Sequence, residues 1–286
     1  RAAELTGKEA AVFVASGTMG NLVSHMAHVP RGGEIVATEG AHVVEHEAGG
    51  HAVITGATVR QIPADRYGRM DPAALRAARS DPDDYHQPPT ALLMLENTHS
   101  PSMGQPLSAA YVSEVARVAR ELGVPLHVDG ARLWNAVVAE KSTAVEMLHD
   151  ADSATFCLSK GLSCPVGSVV VGDRDFIVRA RRARKIVGGG MRQVGVLAAP
   201  GLVALRDGPE GMVERLADDH VNARVLAEGL AEIGAIDLDP TLVTTNYVVF
   251  GLRTPPDRDP LALRASFLAE AERLGVRYNA YPPARI

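Results

Sequence analysis

Cysteine is nearly absent from this chain of 286 residues, which contains only Cys157 and Cys164. The two lie in one short stretch and do not show the spacing of metal ligands. The sequence therefore excludes a disulfide-rich scaffold and shows no pattern of a cysteine-ligated zinc site. We expect both thiols to be reduced, as is usual in a cytoplasmic protein.

Long apolar runs and an excess of positive charge are also missing. The longest apolar run, VGVLAAPGLVAL at 194–205, contains Pro200 and is shorter than the roughly 20 residues that a membrane-spanning helix needs. No signal peptide is visible. The net charge of −5 gives no reason to expect nucleic acid or a membrane as a partner. We interpret the basic run RARRARK (179–185) as the solvated face of an amphipathic helix.

Lysine is scarce in a way that raises a question of chemistry. The 29 basic residues include four lysines, Lys8, Lys141, Lys160 and Lys185, and therefore 25 arginines. Lys160 stands in TFCLSKGLSCPVGS, between an apolar run and a loop rich in glycine and small residues. A lysine amine can lose its proton and act as a nucleophile, whereas a guanidinium cannot. Lys160 is therefore a candidate catalytic residue.

Short apolar runs alternate with helical patterns along most of the chain. This alternation predicts an α/β fold in which a mostly parallel sheet is sandwiched by helices. Helix starts are marked by Asp71-Pro72 and by Ser108, and Gly123 marks a helix end. The predicted strands are residues 10–15, 34–38, 58–63, 90–97, 125–129, 154–159 and 168–173.

The pattern changes near residue 208. A long helical segment at 211–234 is followed by a strand, a helix and a strand at 245–252, 259–275 and 276–281. We therefore expect a large domain over residues 1–207 and a small C-terminal α+β domain over residues 208–286. Both ends look truncated, since RAAELTGKEA starts inside a helical pattern and no closing element follows YPPARI.

Polar residues fall at strand ends that a parallel sheet would bring to one edge. FVASGTMGNLVSHMAH (13–28) is typical of a strand, a glycine turn and a helix, and N–H groups with the hydroxyl of Ser16 or Thr18 would hold a phosphate there. Asp129 ends one strand, Lys160 follows the next, and His42 follows the strand at 34–38. Each has an ordinary alternative, such as a plain turn, a capping aspartate or a structural histidine.

Together these features suit the cofactor pyridoxal phosphate. Lys160 would form a Schiff base with the cofactor, Asp129 would keep the pyridine nitrogen protonated, and the flat imidazole of His42 would stack on the ring. The occurrence of all these features at successive strand ends is much less expected by chance than any one of them.

Seven motifs extend this pattern over nearly the whole chain: FVASGTMGN, AHVVEHEAGG, LENTHS, LHVDGARLWNAVVA, LSKGLSCPVGS, GGGMRQ and YNAYPPAR. In sequence and order they resemble the low-specificity L-threonine aldolases, members of the fold-type-I, aspartate-aminotransferase-like enzymes that use pyridoxal phosphate. The resemblance implies reversible cleavage of L-threonine, L-allo-threonine and related β-hydroxy-α-amino acids to glycine and an aldehyde.

The resemblance also implies which residues bind the cofactor. It makes Lys160 the Schiff-base lysine, Asp129 the partner of the ring nitrogen and His42 the stacked residue. Gly17 and Thr18 would then surround the phosphate, beside Ser16.

Further roles follow from the same resemblance. Lys185 and Arg192, which flank GGG, would reach the cofactor of a neighbouring subunit in a homodimer or homotetramer with shared active sites. Arg132, also near the cofactor, and Arg285 would bind the substrate carboxylate through paired guanidinium contacts. His86 would be the base near the substrate hydroxyl, and His99 is the second candidate.

Three other functions compete with this one. A β-eliminating lyase or a transaldolase acting on a β-substituted amino acid would use the same residues and the same cofactor. A zinc hydrolase is suggested by His46, Glu47 and His51, but these histidines are five residues apart instead of the four of an H-E-x-x-H helix, so we expect no metal. A catalytically inactive homologue is disfavoured because Lys160 and Asp129 are both present.

Overall fold

Seven of the predicted apolar runs form the main sheet in the computed structural model, which describes residues 1–280 and 285–286. The strands are β1 (Ala10–Val14), β2 (Glu34–Thr38), β3 (Thr58–Ile62), β4 (Thr90–Glu96), β5 (Leu126–Gly130), β6 (Ser153–Cys157) and β7 (Ser168–Gly172). All seven strand predictions are therefore confirmed, with small differences at the ends.

The strand directions bring most carboxyl ends to one edge of the sheet. The order is β1-β7-β6-β5-β4-β2-β3, and β2 to β6 run parallel to one another. β7 is antiparallel to both β6 and β1, so β1 points the same way as β6. The segments that follow β1, β2, β4, β5 and β6 therefore start at the same edge, which we call the carboxyl edge.

Eleven α-helices accompany the strands in the described part of the chain. The predicted helix boundaries are confirmed: Asp71 and Ser108 each accept a hydrogen bond from the first turn of a helix, and Gly123 ends one in the left-handed conformation. Ser16, which was not predicted as a cap, caps α2 in the same way. The helices are α1 (Ala2–Thr6), α2 (Gly17–His28), α3 (His42–Glu45), α4 (Pro72–Ala77), α5 (Ala109–Leu122), α6 (Leu133–Glu140), α7 (Ala144–Leu148), α8 (Arg174–Ile186), α9 (Gly195–Ala204), α10 (Leu216–Ala231) and α11 (Pro260–Arg273).

Helices cover both faces of the sheet, and β5 shows how the faces differ. Leu126 and Val128 pack in one core with residues of α5, whereas Asp129 contacts α2. Successive side chains of a strand point to opposite sides, so His127 shares the α2 side with Asp129. Each large aliphatic side chain buried in these cores stabilises the fold by about 1.5–3 kcal/mol. The α2 side instead carries a buried polar row that ends at the carboxyl edge.

The basic run 179–185 belongs to α8, and its interpretation as a solvated face is only partly right. Arg181 Nη2 donates to the carbonyl oxygen of Ala11 at 3.4 Å, and Arg184 Nη1 donates to that of Phe13 at 2.6 Å. Both carbonyls belong to β1, which is an edge strand. These arginines therefore hydrogen-bond the backbone of an edge strand.

The chain divides into two compact units, Arg1–Ala217 and Asp218–Ile286. The first unit reaches residue 217, whereas the sequence analysis ends the large domain at 207. The segment after 207 folds back, because the N–H of Met212 donates to the carbonyl of Ala204 at 2.9 Å and Leu216 is buried in the same core as Leu205.

The second unit contains less regular sheet than the sequence predicts. Its ladder is a two-residue pair, β8 (Ile236–Asp237) with β9 (Gly251–Leu252), so the strand predicted at 245–252 is a strand only over β9. Residues 276–280 form no strand. Residue 281 of that prediction, with residues 282–284 of YNAYPPAR, lies outside the described residues. An apolar pattern alone does not show whether a pairing neighbour is available.

Among the described residues, no helix combines the length and the apolar character needed to cross a membrane.

Candidate active site

Asp129 is buried at the carboxyl edge, near the end of β5, on the side of the sheet that faces α2. Its Oδ1 accepts a hydrogen bond from the N–H of Ala131 at 3.0 Å. Its Oδ2 accepts one from Asn21 Nδ2 at 2.7 Å. Only 3% of the residue is exposed, so the carboxylate relies on protein groups in place of water.

The surroundings of Asp129 make a positive partner favourable. Burial raises the pKa of Asp129 to about 6, and the nearby carboxylates of Glu96 and Glu47 contribute to the increase. The ammonium of Lys160 and the hydrogen bond from Asn21 act in the opposite direction. A carboxyl group at a sheet edge, with a shifted pKa and a specific charge near it, is typical of a functional site.

Lys160 is half-buried in the loop after β6, the strand beside β5. The N–H of Ser163 donates to the carbonyl of Lys160 at 2.9 Å and turns this loop. Gly161 has no room for a side chain, since a Cβ there would lie 2.5 Å from Leu216 Cδ2. The lysine charge lowers the pKa of Asp129. Since β5 and β6 are neighbouring parallel strands, Lys160 and Asp129 lie at the same edge of the sheet.

The start of α2 lies at the same edge, after β1. Ser16 is the N-cap, and its Oγ accepts the N–H of Met19 at 3.1 Å. The N–H groups of Gly17 and Thr18 have no intrahelical acceptor, as in the first turn of any helix. A Cβ at Gly17 would lie 2.9 Å from Cys157 Sγ, so the glycine lets the helix start approach the end of β6. Donors for an anion therefore lie beside the Lys160 loop.

His42 begins α3 after β2 and is held by two carboxylates. Its N–H donates to Glu96 Oε2 at 2.8 Å, and its Nδ1 lies 2.9 Å from Glu47 Oε1. The hydrogen bond with Glu47 raises the pKa of His42, and burial opposes it. The side chain is 35% exposed, so a ligand can reach the ring.

Asn21 links this histidine to the buried aspartate. Its Nδ2 donates to Glu47 Oε1 at 2.8 Å and to Asp129 Oδ2 at 2.7 Å. Asn21 is 1% exposed, and its Oδ1 is buried without a hydrogen-bond partner among the described residues. The result is a continuous hydrogen-bonded row, His42–Glu47–Asn21–Asp129.

The residues that suggested a zinc site do not gather around one point. Glu47 bonds His42 and Asn21, whereas His51 lies near His25 and lowers its pKa. In the described part of the chain, one group of potential ligand atoms lies within 4.8 Å of one another, on His42, Glu47 and Asp129. The hydrogen bonds above already use these groups, so we assign no metal to them.

The cationic residues implied by the resemblance lie in different places. Arg132 occupies the N-cap position of α6, directly after β5. Burial raises the pKa of Cys157, at the end of β6, and the Arg132 charge partly opposes this increase, so Arg132 is at the carboxyl edge. Lys185, in the last turn of α8, and Arg192, after the glycines, are both exposed. Arg285 belongs to the second unit, so its role in the site stays a prediction.

The structure does not bring His86 to the carboxyl edge of its own chain. It lies before Thr90, where β4 begins, and the seven residues of β4 span about 20 Å. Its side chain is 70% exposed, and Nδ1 lies 2.8 Å from Asp84 Oδ1. A role as base would therefore need a site on another copy of the chain.

His99 lies at the carboxyl edge, three residues after the end of β4, but it is enclosed. It is 1% exposed, Nδ1 lies 3.0 Å from Ser102 Oγ, and a Cβ at Gly68 would lie 2.6 Å from its ring. Burial lowers the pKa of His99. Its position suits a wall residue more than a base that exchanges protons with a ligand.

The sequence patterns do not single out Asn21 or Glu96, and they suggest Glu47 only as a zinc ligand. One signal was available for Asn21. It shares a face of α2 with His25 and His28, at helical spacing, where a buried helix usually presents apolar residues. No such signal distinguishes Glu47. Its two partners, Asn21 and His42, lie on different helices, α2 and α3.

Comparisons with known proteins give a consistent result. The family model described as beta-eliminating lyase matches residues 1–252. The chain is 44% identical to a probable low-specificity L-threonine aldolase 2 of Arabidopsis thaliana over 256 residues, which are 89% of this chain and 71% of that protein. It is 48% identical to a low specificity L-threonine aldolase of Escherichia coli K12 over 234 residues, 82% of this chain and 68% of that protein.

Solved structures show the same fold at low sequence identity. A putative L-allo-threonine aldolase from Listeria monocytogenes superposes with a TM-score of 0.77 at 19% identity, covering 98% of this chain and 74% of that one. A threonine aldolase from Leishmania major gives 0.78 at 18% identity, covering 99% and 79%. The chain belongs to the beta-eliminating lyase family and, within it, to the low-specificity L-threonine aldolases.

Proposed function

We propose that the chain is a pyridoxal-phosphate-dependent aldehyde-lyase. Its reaction is the reversible cleavage of L-threonine, L-allo-threonine and related β-hydroxy-α-amino acids to glycine and an aldehyde. The observation that carries the proposal is the placement of buried Asp129 and of Lys160 at the ends of neighbouring parallel strands, where the Lys160 charge acts on the Asp129 carboxyl.

The donor set fits this cofactor. A phosphate suits the N–H groups of Gly17 and Thr18 beside the Ser16 cap. A pyridinium nitrogen suits the Asp129 carboxylate, whose pKa is raised by burial and by the charges of Glu96 and Glu47. The half-exposed imidazole of His42 offers a flat surface between them, and the amine of Lys160 suits covalent attachment.

When bound, pyridoxal phosphate supplies an electron sink for the carbanion that cleavage generates. The residues of this chain supply the rest. Lys160 would hold the cofactor through its amine. Asp129 must stay ionised, since a neutral carboxyl would not hold a proton on the ring nitrogen. Asn21, which donates a hydrogen bond to Asp129, favours that ionised form.

Arginine determines which substrate bond reacts. Arg132, and Arg285 by the resemblance, hold the carboxylate of the amino acid through charge-assisted hydrogen bonds. With the carboxylate fixed, these arginines would orient the amino acid so that its Cα–Cβ bond is the one presented for cleavage.

The proton of the substrate hydroxyl needs a base, and the histidines differ in suitability. His86 remains a prediction that requires a neighbouring copy of the chain, given its position at the opposite edge of the sheet. His99 is at the correct edge but enclosed. The test of both is replacement by Phe, with the cleavage rate and the ratio of threonine to allo-threonine turnover as readouts.

A homo-oligomer with shared sites is part of the proposal. The segment that carries Lys185 and Arg192 leads into α9, where Val196 is 77% and Leu202 63% exposed. Apolar side chains exposed together on one helix favour burial against another protein surface. A second copy of the chain would cover this helix and bring the two cations to a neighbouring site. A cytoplasmic location remains a prediction.

Aldehyde release tests the function directly. Purified protein loaded with pyridoxal phosphate is incubated with L-threonine, L-allo-threonine and phenylserine, with D-threonine as the control. We expect acetaldehyde or benzaldehyde together with glycine from the L substrates. Release of pyruvate and ammonia from a β-substituted amino acid, with no aldehyde from any β-hydroxy amino acid, would establish the β-eliminating lyase instead.

A further inference from the structure

We infer that Asn21 and Glu47 are positioning residues that couple His42 and Asp129 into one unit. This inference rests on the proposed function, since it concerns the two residues assigned to the cofactor ring. Asn21 and Glu47 lie within the motifs FVASGTMGN and AHVVEHEAGG, but the resemblance assigns no role to either of them. Both are more than nine-tenths buried.

The hydrogen bonds fix the orientation of Asn21. A side-chain amide has two N–H donors on nitrogen and only acceptors on oxygen. Nδ2 lies 2.8 Å from Glu47 Oε1 and 2.7 Å from Asp129 Oδ2, so both donors are used. The flipped amide would place its oxygen between two carboxylates and is excluded by repulsion. Asn21 therefore holds two carboxylates at a fixed separation.

Glu47 in turn fixes the state of His42. Its Oε1 accepts from Asn21 and lies 2.9 Å from His42 Nδ1, so the proton of the neutral imidazole stays on Nδ1. The other ring nitrogen, Nε2, is then the atom that gains or loses a proton. A carboxylate that orients a histidine in this way is a common device in catalytic and metal sites.

Asn21 and Glu47 act on Asp129 with opposite signs. The charged groups that face Asp129 are Glu96 from β4, Glu47 from the segment after α3, and Lys160 after β6. The Asn21 hydrogen bond lowers the pKa of Asp129, whereas the Glu47 charge raises it. Glu47 also raises the pKa of His42, which Asp129 and Glu96 raise as well. The hydrogen bond from Asn21 therefore offsets the effect of the Glu47 charge on the pKa of Asp129.

Two near-isosteric variants separate these effects. Glu47→Gln keeps an oxygen acceptor and removes the charge, so the pKa values of both His42 and Asp129 should fall, by about one pH unit each. Asn21→Leu keeps the bulk and removes the donors, so the pKa of Asp129 should rise by a similar amount. NMR titration of the His42 ring and the Asp129 carboxyl, each assigned by substitution, measures both values in the cofactor-free full-length protein.

Two matched controls test whether the effect is local. Glu34→Gln neutralises another buried carboxylate, which pairs with Arg60 at the amino end of β2. Ser24→Ala changes another buried polar residue of α2, whose hydroxyl donates to the Gly20 carbonyl. Neither control substitution should change the pKa of His42 or the pKa of Asp129.

The cofactor-loaded enzyme gives a second readout. If Asp129 must be ionised, the acid limb of the kcat/KM profile should move to lower pH in Glu47→Gln and to higher pH in Asn21→Leu. Titrations that do not move, or that move equally in the controls, would overturn the inference. If wild-type protein releases no aldehyde, the proposed function fails, while the two titrations still decide the coupling.

Discussion

At the scale of single residues, Lys160 has a role that the other basic residues cannot take over. Its neighbours are a buried carboxylate and the first turn of α2, and the loop that carries it packs so tightly that Gly161 admits no side chain. Arginine would keep the positive charge beside Asp129 but could not attach to an aldehyde. The charge and the nucleophile are therefore separable by substitution.

Lys160→Arg should abolish the absorbance of lysine-linked cofactor and reduce turnover by at least about 10³-fold, because covalent catalysis is lost while the charge is retained. Lys141→Arg is the matched control. Lys141 is an exposed residue just after α6, and both properties should be unchanged. Visible absorbance and aldehyde release measure the outcome, and a lysine-linked cofactor in Lys160→Arg would refute the assignment.

Asp129→Asn should affect activity and stability in opposite directions. The amide cannot hold the proton of the ring nitrogen, so turnover should fall by at least about 10²-fold. In cofactor-free protein, the folded-state pKa of Asp129 is about 6, above the ordinary aspartate value of 3.8, so the folded state binds the proton more tightly than the unfolded state. Ionisation therefore destabilises the fold progressively between about pH 4 and pH 6.

Relative to wild type, Asp129→Asn should gain about 3 kcal/mol across that interval. Urea unfolding of both proteins at pH 4, 5, 6 and 7 measures the difference, which should grow up to pH 6 and then level off. A difference that is independent of pH would show that Asp129 titrates normally in the folded protein.

The individual site residues were predictable to different degrees. Asp129, Lys160, His42 and Ser16 each lie at or just after the end of a recognisable strand, so strand ends alone locate them. The polar face of α2 marks Asn21 but does not identify its partner Asp129, which lies 108 residues away, and the sequence suggests Glu47 only as a zinc ligand. For His86 the prediction from the sequence is less successful. The resemblance assigns it the role of base, but it precedes β4 and therefore lies at the opposite edge of the sheet.

At the scale of secondary-structure elements, α8 protects an edge strand. Arg181 and Arg184 donate to the carbonyls of Ala11 and Phe13 on β1, which is an edge strand. An unpaired edge is a template for pairing with another chain, so the basic run has a structural role that composition alone does not reveal.

Arg184→Ala should lower the free energy of unfolding by about 1–2 kcal/mol, because a partly buried carbonyl loses a charged donor. Burial already lowers the pKa of Arg184, in keeping with its enclosed position. Arg182→Ala, an exposed neighbour on the same helix, is the control and should change stability by less than about 0.5 kcal/mol. Urea unfolding compares the two, and equal losses would contradict a specific role.

Elements were predictable where burial is strong on both faces. β2, β5, β6 and β7 are buried throughout, and such strands appear in the sequence as short apolar runs between turn signals. In the second unit, Ile236–Asp237 is too short to produce a pattern, and the run at 245–252 pairs over only two residues. Pairing partners, which decide these cases, are not encoded locally.

At the scale of the whole molecule, a buried histidine cluster makes stability sensitive to acid. His25, His28 and His127 lie between α2 and the sheet, with Ser153 Oγ 2.7 Å from His28 Nε2 and 2.8 Å from His127 Nδ1. Burial lowers the pKa of His25 to about 3 and of His28 to about 4, and that of His127 also falls well below 6.5. All three are therefore mainly neutral in the folded state at about pH 5.

The unfolded chain binds protons on these histidines below about pH 6.5, so stability should decrease as the pH falls. Each histidine contributes up to about 1.4 kcal/mol per pH unit, and Asp129 partly offsets this between about pH 6 and pH 4. His28→Gln should reduce the slope of the free energy of unfolding against pH by the contribution of about one proton. His149→Gln, at an exposed position, should leave this slope unchanged. Urea unfolding from about pH 7 to pH 4.5 gives the slopes, and identical slopes would exclude the cluster as their cause.

The largest-scale prediction concerns the proposed shared site. If Lys160 of one copy works with Arg192 of another, Lys160→Ala and Arg192→Ala should each be inactive alone, for different reasons. In a mixed dimer, one site combines both lesions and the other contains intact Lys160 and intact Arg192. Mixing the two proteins under conditions of subunit exchange should therefore restore about half of wild-type activity per mixed dimer.

The control for this experiment is a mixture of Lys160→Ala with Asp129→Asn. Both residues lie at the carboxyl edge of one chain, where the Lys160 charge acts on Asp129, so every site in that mixture carries at least one lesion and no recovery is expected. Exchange is followed independently with differently tagged subunits. If activity recovers in the mixture of Lys160→Ala with Arg192→Ala but not in the control mixture, Arg192 is a residue supplied by a second copy. Proven exchange without recovery would mean that Arg192 serves its own chain, and the exposed face of α9 would then need a different explanation.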